Sequence, residues 1–167
     1  MLRFVEPMKI RVGMGYDVHA LVAGDVLCLG GVEIPSSLRA EGHSDADCLI
    51  HAIMDALFGA ANMRDIGFHY PDTNPEYKGV DSKKLLKDCV SKIAEKGYYV
   101  VNVDSTVCLQ SPKISGYIPL MQQCLSKIMG VSSEDVSVKA TTTERLGFVG
   151  KSEGISAYAV CLLRKKE

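Results

Sequence analysis

The sequence predicts an α+β fold: one domain over residues 1–167, with a mixed four- to five-stranded sheet and helices packed on one face. Three observations carry this. A chain of 167 residues makes one domain of ordinary size, and two would be cramped. Its 47% hydrophobic and 23% charged residues are the proportions of a chain that buries a core. The readable elements run strand, strand, helix, loop, helix, strand, helix, strand, strand, an order that reads as α+β.

The first strand spans Lys9 to Tyr16, with glycines at 13 and 15. Asp17 and His19 follow, two apart, so on an extended chain they share a side and Val18 faces the other. Asp25 to Ile34 holds a second strand-like run, Val26 to Leu29, with Gly30-Gly31 as a turn and Pro35 to Ser37 as a loop. Ser44, with Asp47 three residues on, reads as a partial capping box for a helix that ends near Gly59 or Asn62. Leu49, Ile50, Ile53, Met54, Leu57 and Phe58 form its apolar stripe. Asp47, His51 and Asp55, spaced i, i+4, i+8, form a polar one.

Asp65 to Lys78 is a Pro/Asp/Asn-rich loop, functional or mobile at that length. A helix follows from about Ser82 to Lys96, stopped by Gly97. Tyr98 to Leu109 is a strand, Gln110 to Lys113 a turn, and Pro119 sits in the first turn of a third helix that ends at Gly130. Val136 to Ala140 and Ile155 to Leu163 are the last strands. Residues 1–8 read as an N-terminal extension, too short for a signal peptide and, with Glu6, unlike a transit peptide.

Composition narrows the function. A formal net charge of −1 argues against a nucleic-acid or anionic-membrane binder, while a small anionic substrate needs only local positive charge. Six scattered cysteines, none in a C-x-x-C pair, point to a reducing compartment rather than a disulfide framework. No apolar run reaches the ~18 residues of a membrane span. These features together predict a cytoplasmic protein.

Three of the four histidines lie in Asp17–His19 and Gly42–His51, among aspartates. Asp-x-His on a strand offers two ligands on one side, and a packed helix can bring His51 as a third, a donor set that suits zinc with one position left open. The alternative is a strand end beside a hydrogen-bonded helix histidine. Asp47 and Asp55 are candidates to orient the His51 ring. His43, just before a predicted helix N-terminus, is placed to donate to a phosphate; Ser44, Asp45 and Asp47 can equally be caps. Thr141-Thr142-Thr143-Glu144 offers hydroxyls and N–H groups to phosphate and a carboxylate to Mg²⁺, or is a solvated turn. Lys113 is by default a surface lysine.

These residues sit in a longer pattern. Gly15 to His19, His43 to Asp47, His51-Ala52, Asp55 to Leu57, Asp65 to Gly67 and Pro71 to Thr73 occur in order. Asn102 to Asp104, Pro112-Lys113, Lys139 to Glu144, Leu146 to Phe148 and Gly154-Ile155 follow. In this the chain resembles the 2-C-methyl-D-erythritol 2,4-cyclodiphosphate synthases of the non-mevalonate isoprenoid pathway, over nearly all of Lys9 to Leu163.

The resemblance implies zinc on Asp17, His19 and His51, and a second divalent ion, Mg²⁺ or Mn²⁺, on Glu144. It credits His43 and Thr142 with stabilising the transition state. Asp65 and Gly67 match the loop that holds the methylerythritol, and Leu109 to Ser115, with Lys113, the cytidine diphosphate pocket. Substrate contacts are expected further at Asp17, Val18, His19, His43 and Ser44, and along the loop at Ile66, Tyr70, Pro71, Asp72, Thr73 and Asn74. The resemblance implies substrate contacts also at Gln110, Ser111, Pro112 and Ile114 in the nucleotide pocket, and at Thr141, Thr142, Thr143, Glu144, Phe148 and Lys151.

The implied assembly is a homotrimer with active sites between subunits and an axial cavity able to hold an isoprenoid diphosphate. The implied reaction is a phosphorus–oxygen lyase reaction: an intramolecular phosphoryl transfer that releases CMP and closes a cyclic diphosphate. Two positions depart from the usual pattern. Ala46 stands where many members have Gly, with a neutral effect expected, and Lys151 stands where many have Arg, keeping charge without the planar fork. The rival readings are a zinc-dependent phosphodiesterase releasing a linear product and a non-enzymatic nucleotide-binding trimer.

Overall fold

The computed structural model describes residues 9–166; the N-terminal extension 1–8 lies outside them. Five strands form one mixed sheet: β1 (Ile10–Ala23), β4 (Leu38–Ala40), β5 (Tyr98–Cys108), β6 (Val136–Thr141) and β7 (Gly154–Lys165). Their order is β4-β1-β7-β5-β6. All neighbours are antiparallel except β5 and β6, which run parallel. The predicted second strand is β2 (Val26–Leu29), and beyond its predicted Gly30-Gly31 turn the chain adds a strand not assigned from the sequence, β3 (Val32–Pro35), which pairs with β2 in a separate two-stranded sheet. Gly30 and Gly31 make its turn at positive φ, 59° and 75°, where a Cβ is disfavoured.

The long helices α1 (Cys48–Ala60), α3 (Ser82–Glu95) and α4 (Ile118–Met129) pack against the sheet, α1 on β1 and β7, α3 on β5, α4 on β6. Gly97 and Gly130 terminate α3 and α4 at φ of 85° and 72°, as the glycine stop signals predict. The predicted Asp65–Lys78 loop is not wholly irregular. It contains the one-turn helix α2 (Ile66–His69), whose Phe68 N–H is capped by Asp65, and a 3₁₀ turn at Pro75–Tyr77 capped by Asn74. A last short helix, α5 (Gly147–Gly150), precedes β7.

Helix α1 is central rather than amphipathic: eleven of its thirteen residues are buried. Its apolar stripe, Leu49 to Phe58, is fully buried. A second stripe, Ala52, Ala56 and Ala60, faces the glycines of β1. A Cβ on Gly13 would lie 1.9 Å from Ala56 O, and one on Gly15 would lie 2.0 Å from Ala52 O. Strand and helix backbones thus touch, and only glycine permits it.

The capping signal needs correction. Asp47, not Ser44, is the N-cap of α1, accepting from Ile50 N–H. Its two oxygens also accept from Gly30 and Gly31 N–H at 2.9 and 2.7 Å, which ties the β2–β3 turn to the helix. Complete burial pushes the Asp47 carboxyl upward, opposed by these three N–H groups. Ser44 fails as a cap because Ala46 intervenes in the left-handed region, φ 56°. The gap left by the usual glycine is therefore not free of consequence, since an L-residue there carries roughly 1 kcal/mol of strain.

Candidate functional site

Alternation along β1 sets the site. Gly13, Gly15, Asp17 and His19 share the inner face, while Val12, Met14, Tyr16 and Val18 share the exposed outer one. The strand continues through Asp17–His19 to Ala23, so both side chains are held by a ladder, opposite Ala157 and Ile155 of β7. Because α1 lies directly on the two glycines, its first turn brings His51 to the same place.

The result is a close triangle of ligand atoms. Asp17 Oδ2 is 2.9 Å from His19 Nε2 and 3.1 Å from His51 Nδ1, and the two nitrogens are 3.2 Å apart. Tetrahedral zinc, with bonds near 2.0–2.1 Å, has ligand–ligand edges of about 3.3–3.4 Å. The three residues could hold a metal ion, and one carboxylate with two imidazoles suits zinc chemically. Each ring has a hydrogen-bond partner on its far side: His19 Nδ1 donates to Glu41 O at 2.9 Å, and His51 Nε2 lies 3.0 Å from Ser82 Oγ. Burial works against charge on Asp17, but hydrogen bonds from His19 and His51 overcome it and hold the carboxyl well below its usual range. Burial likewise opposes a charged His19, and Asp17 outweighs it, raising the imidazole above its ordinary value.

The triangle opens into a cavity of about 370 Å³ lined by His43, Ser44, Ile66, Gly67, Asp72 and the aromatic rings of Tyr70 and Tyr77, among others. Tyr70 anchors the far wall. Its hydroxyl donates to Asp88 at 2.7 Å, and burial together with Asp88 pushes it well above the ordinary phenol range, so it stays a donor. His43 lies 3.4 Å from Asn74 O through Nε2. It is not at the helix N-terminus as predicted, because α1 begins only at Cys48 and Asp47 is its cap, accepting from Ile50 N–H. The proposed orienting roles of Asp47 and Asp55 do not hold either. Asp55 accepts from Ile66 N–H at 2.8 Å and so fixes α2 against α1, not the His51 ring.

A second cavity, about 160 Å³, is lined by Leu109, Gln110, Pro112, Lys113, Ile114, Ser115, Ala140, Thr141 and Thr142. Glu144 stands beside it, accepting from Thr142 Oγ1 at 2.7 Å, with Glu144 and Arg145 both at positive φ. The structure thus gathers Asp17, His19, His43, Ser44, His51 and the 66–77 segment in one place. Leu109, Gln110, Pro112–Ser115 and Thr141–Thr142 gather in another, and neither Ser111 nor Glu144 lines either of the two cavities. Phe148 covers Gly154 at the entry to β7, and Lys151 is exposed at the end of α5. Sequence reading missed Ser82 and Tyr77. Ser82 has no motif of its own, and only the packing of α3 beside His51 singles it out.

A model of the YgbB family matches residues 10–164. The chain is 59% identical over 158 residues to 2-C-methyl-D-erythritol 2,4-cyclodiphosphate synthase of Bacteroides thetaiotaomicron, covering 95% of this chain and 99% of that protein. Among solved structures, IspF of Plasmodium falciparum in complex with CDP superposes with a TM-score of 0.84 at 33% identity, covering 97% of this chain and all of that one (100%). The bifunctional IspDF of Campylobacter jejuni gives 0.93 at 37% identity, covering 96% of this chain and 44% of that longer one.

Proposed function

The chain belongs to the YgbB family, and from that premise we propose that it converts 4-diphosphocytidyl-2-C-methyl-D-erythritol 2-phosphate into 2-C-methyl-D-erythritol 2,4-cyclodiphosphate and CMP. The observation that carries the proposal is the Asp17–His19–His51 triangle opening onto a small, partly aromatic cavity. A metal position beside a sugar-sized space suits a diphosphate on a short polyol. In the reaction an oxygen of the 2-phosphate forms a bond to the β-phosphorus, the bond from that phosphorus to the oxygen bridging to the α-phosphate breaks, and CMP departs with the electron pair.

The nucleophile is already an anion, so no side chain need act as a strong base, and the work is positioning and charge neutralisation. Zinc on the triangle and Mg²⁺ or Mn²⁺ at Glu144 would supply Lewis-acid stabilisation of the diphosphate oxygens. In this reading His43 and Thr142 donate to the oxygens that gain charge. Asp65 and Gly67 hold the methylerythritol, with the apolar sides of Ile66 and Tyr70 against its methyl group. Leu109–Ser115 receives the cytidine, and Lys113 offsets diphosphate charge.

The two cavities are separate on one chain, which supports assembly of each complete site from two subunits. The outer sheet face supports it too: Val12 and Met14 are each 67% exposed, and Val18, Tyr158 and Val160 extend the patch. An apolar face of that kind marks an interface, and we assign it to a homotrimer. Lys151 then points charge at an axial cavity for an isoprenoid diphosphate. The six cysteines are free thiols, in keeping with a cytoplasmic setting, and no helix among the described residues is long and apolar enough to cross a membrane.

Purified protein with zinc, Mg²⁺ and the diphosphocytidyl substrate, followed by phosphorus NMR, tests the proposal. Cyclic diphosphate and CMP are expected. CMP with a linear product would replace the cyclase by a phosphodiesterase, and absence of turnover with zinc bound would overturn the catalytic reading. His51→Ala is expected to lose zinc and cyclase activity together.

A further inference from the structure

The ligand face of His51 is only half of its surroundings. Its Nε2 points away from Asp17 and His19 into the seam between the 43–46 segment and the first turn of α3. There Ser82 Oγ lies at 3.0 Å and Ser44 Oγ at 3.2 Å. Ser82 is fully buried, and the chemistry described above makes no use of it. Its hydroxyl donates to Asp45 Oδ1 at 2.5 Å, and its backbone N–H donates to the other oxygen at 3.0 Å. Asp45 is fixed in turn by its own N–H, which donates to Val80 O at 3.2 Å.

A hydroxyl has one proton. With that proton given to the Asp45 carboxylate, Ser82 Oγ can only accept from the imidazole, so the ring proton of His51 belongs on Nε2. Nδ1 faces the metal position beside Asp17 Oδ2 and His19 Nε2, where a bound metal would take the place of any proton shared with the Asp17 carboxylate. We propose that Asp45 and Ser82 are positioning residues acting through His51: a carboxylate–hydroxyl relay that selects the Nε2–H tautomer and fixes the ring so that Nδ1 faces the metal position. The inference rests on the reading of Asp17, His19 and His51 as metal ligands. Outer partners of this kind set ligand orientation and basicity. His19 reaches the same end through Glu41 O, with its proton on Nδ1.

Helix capping alone does not account for the Ser82 side chain. Asp81 already caps α3, accepting from Lys83 N–H, and Asp45 would keep the Ser82 backbone N–H if the hydroxyl were absent. Ser82→Ala therefore removes the relay and leaves the cap. Asp45→Asn makes a sharper change. Its amide oxygen would take the Ser82 N–H, leaving its NH₂ against the hydroxyl. The Ser82 proton is then turned toward His51, which favours the tautomer that blocks Nδ1.

The test is long-range ¹H–¹⁵N NMR of the histidines in metal-free protein, together with zinc affinity by competition with a chromophoric chelator. Wild-type His51 is expected to carry a proton on Nε2. Ser82→Ala is expected to mix the tautomers and weaken zinc binding about 10-fold, and Asp45→Asn to shift His51 toward Nδ1–H and weaken zinc further, both with unchanged far-ultraviolet circular dichroism. A wild-type ring with no proton on Nε2 overturns the proposal, as does a Ser82→Ala variant with wild-type ring protonation and zinc affinity. Failure of the wild type to bind zinc would overturn the ligand reading, while the tautomer measurement still decides the relay. Should Ser82→Ala not fold, the wild-type spectrum and Asp45→Asn decide it.

Discussion

Gly15→Ala tests the link between packing and site most directly. The new Cβ would meet Ala52 O at 2.0 Å and Ala56 N at 2.6 Å. Both obstacles are helix backbone, so no rotamer change relieves them, and the seam must open by about 1 Å to bring the shorter approach to 3.0 Å. Overpacking of this kind costs about 1–3 kcal/mol, and a rigid obstacle puts this case near about 3 kcal/mol. For a domain of this size that lowers Tm by roughly 6–12 °C. The same opening pulls His51 away from a triangle whose edges are 2.9–3.2 Å, whereas metal bonds tolerate about ±0.2 Å. Zinc affinity should fall by more than the ~10-fold of an outer-partner loss. Gly59→Ala, on the same helix, is the control: nothing lies within 4 Å of its Cβ, so it should gain up to about 1 kcal/mol from helix propensity. Thermal denaturation and chelator competition read both effects. A Gly15→Ala protein with wild-type Tm and zinc affinity would refute the argument that backbone contact places His51.

Other expectations follow from the same geometry. The raised His19 imidazole stabilises metal-free protein fully below its unfolded value near 6.5, a contribution lost as pH rises through the folded value. Zinc needs the neutral ring, so zinc-induced stabilisation should increase from pH 6 to 8; a larger Tm shift at pH 6 would contradict this. If the outer sheet face forms the proposed trimer, Met14→Lys should yield smaller species in analytical ultracentrifugation while leaving the far-ultraviolet spectrum intact. Lys113→Ala should raise KM for the cytidylyl substrate by about 10-fold with unchanged zinc content, and an equal loss of zinc would break the division between the two cavities.

Much of the fold is legible because its signals are local. Gly97 and Gly130 stop helices for a reason that resides in one φ angle, and Asp17-x-His19 shares a face because strands alternate. What the sequence conceals depends on partners distant along the chain. Ser44-x-x-Asp47 matches a capping box, yet the Ser44 hydroxyl turns to His51 and to Ala46 N–H at 3.2 Å, because the intervening left-handed residue redirects it. The stripe Asp47, His51, Asp55 is a true periodicity on a helix that is buried nearly all round. Its three members take unrelated partners, from the β2–β3 turn, the β1 ligands and α2. Val26 to Leu29 is a strand and Gly30-Gly31 a turn as read, but the returning strand and the sheet that the hairpin joins are settled by side chains that a linear reading does not pair.

The Gly13, Gly15 and Ala52, Ala56, Ala60 seam also shows why stability alone does not explain this core. Glycine weakens a strand, and alanine buries little apolar area compared with leucine or isoleucine. Larger residues at those positions would bury more. They would also separate the backbones, and two of the candidate ligands have short reach: Asp17 extends two carbons from its backbone, and His51 presents Nδ1 only one bond beyond its γ carbon. Side chains of that reach converge to about 3 Å only when the strand and helix that carry them are nearly in contact. The small residues below the site and the short ligands within it are therefore one requirement. Enlarging the seam should cost metal affinity even where a compensating repack restores stability, and that separation of the two readouts distinguishes a seam built for the site from one built for the core.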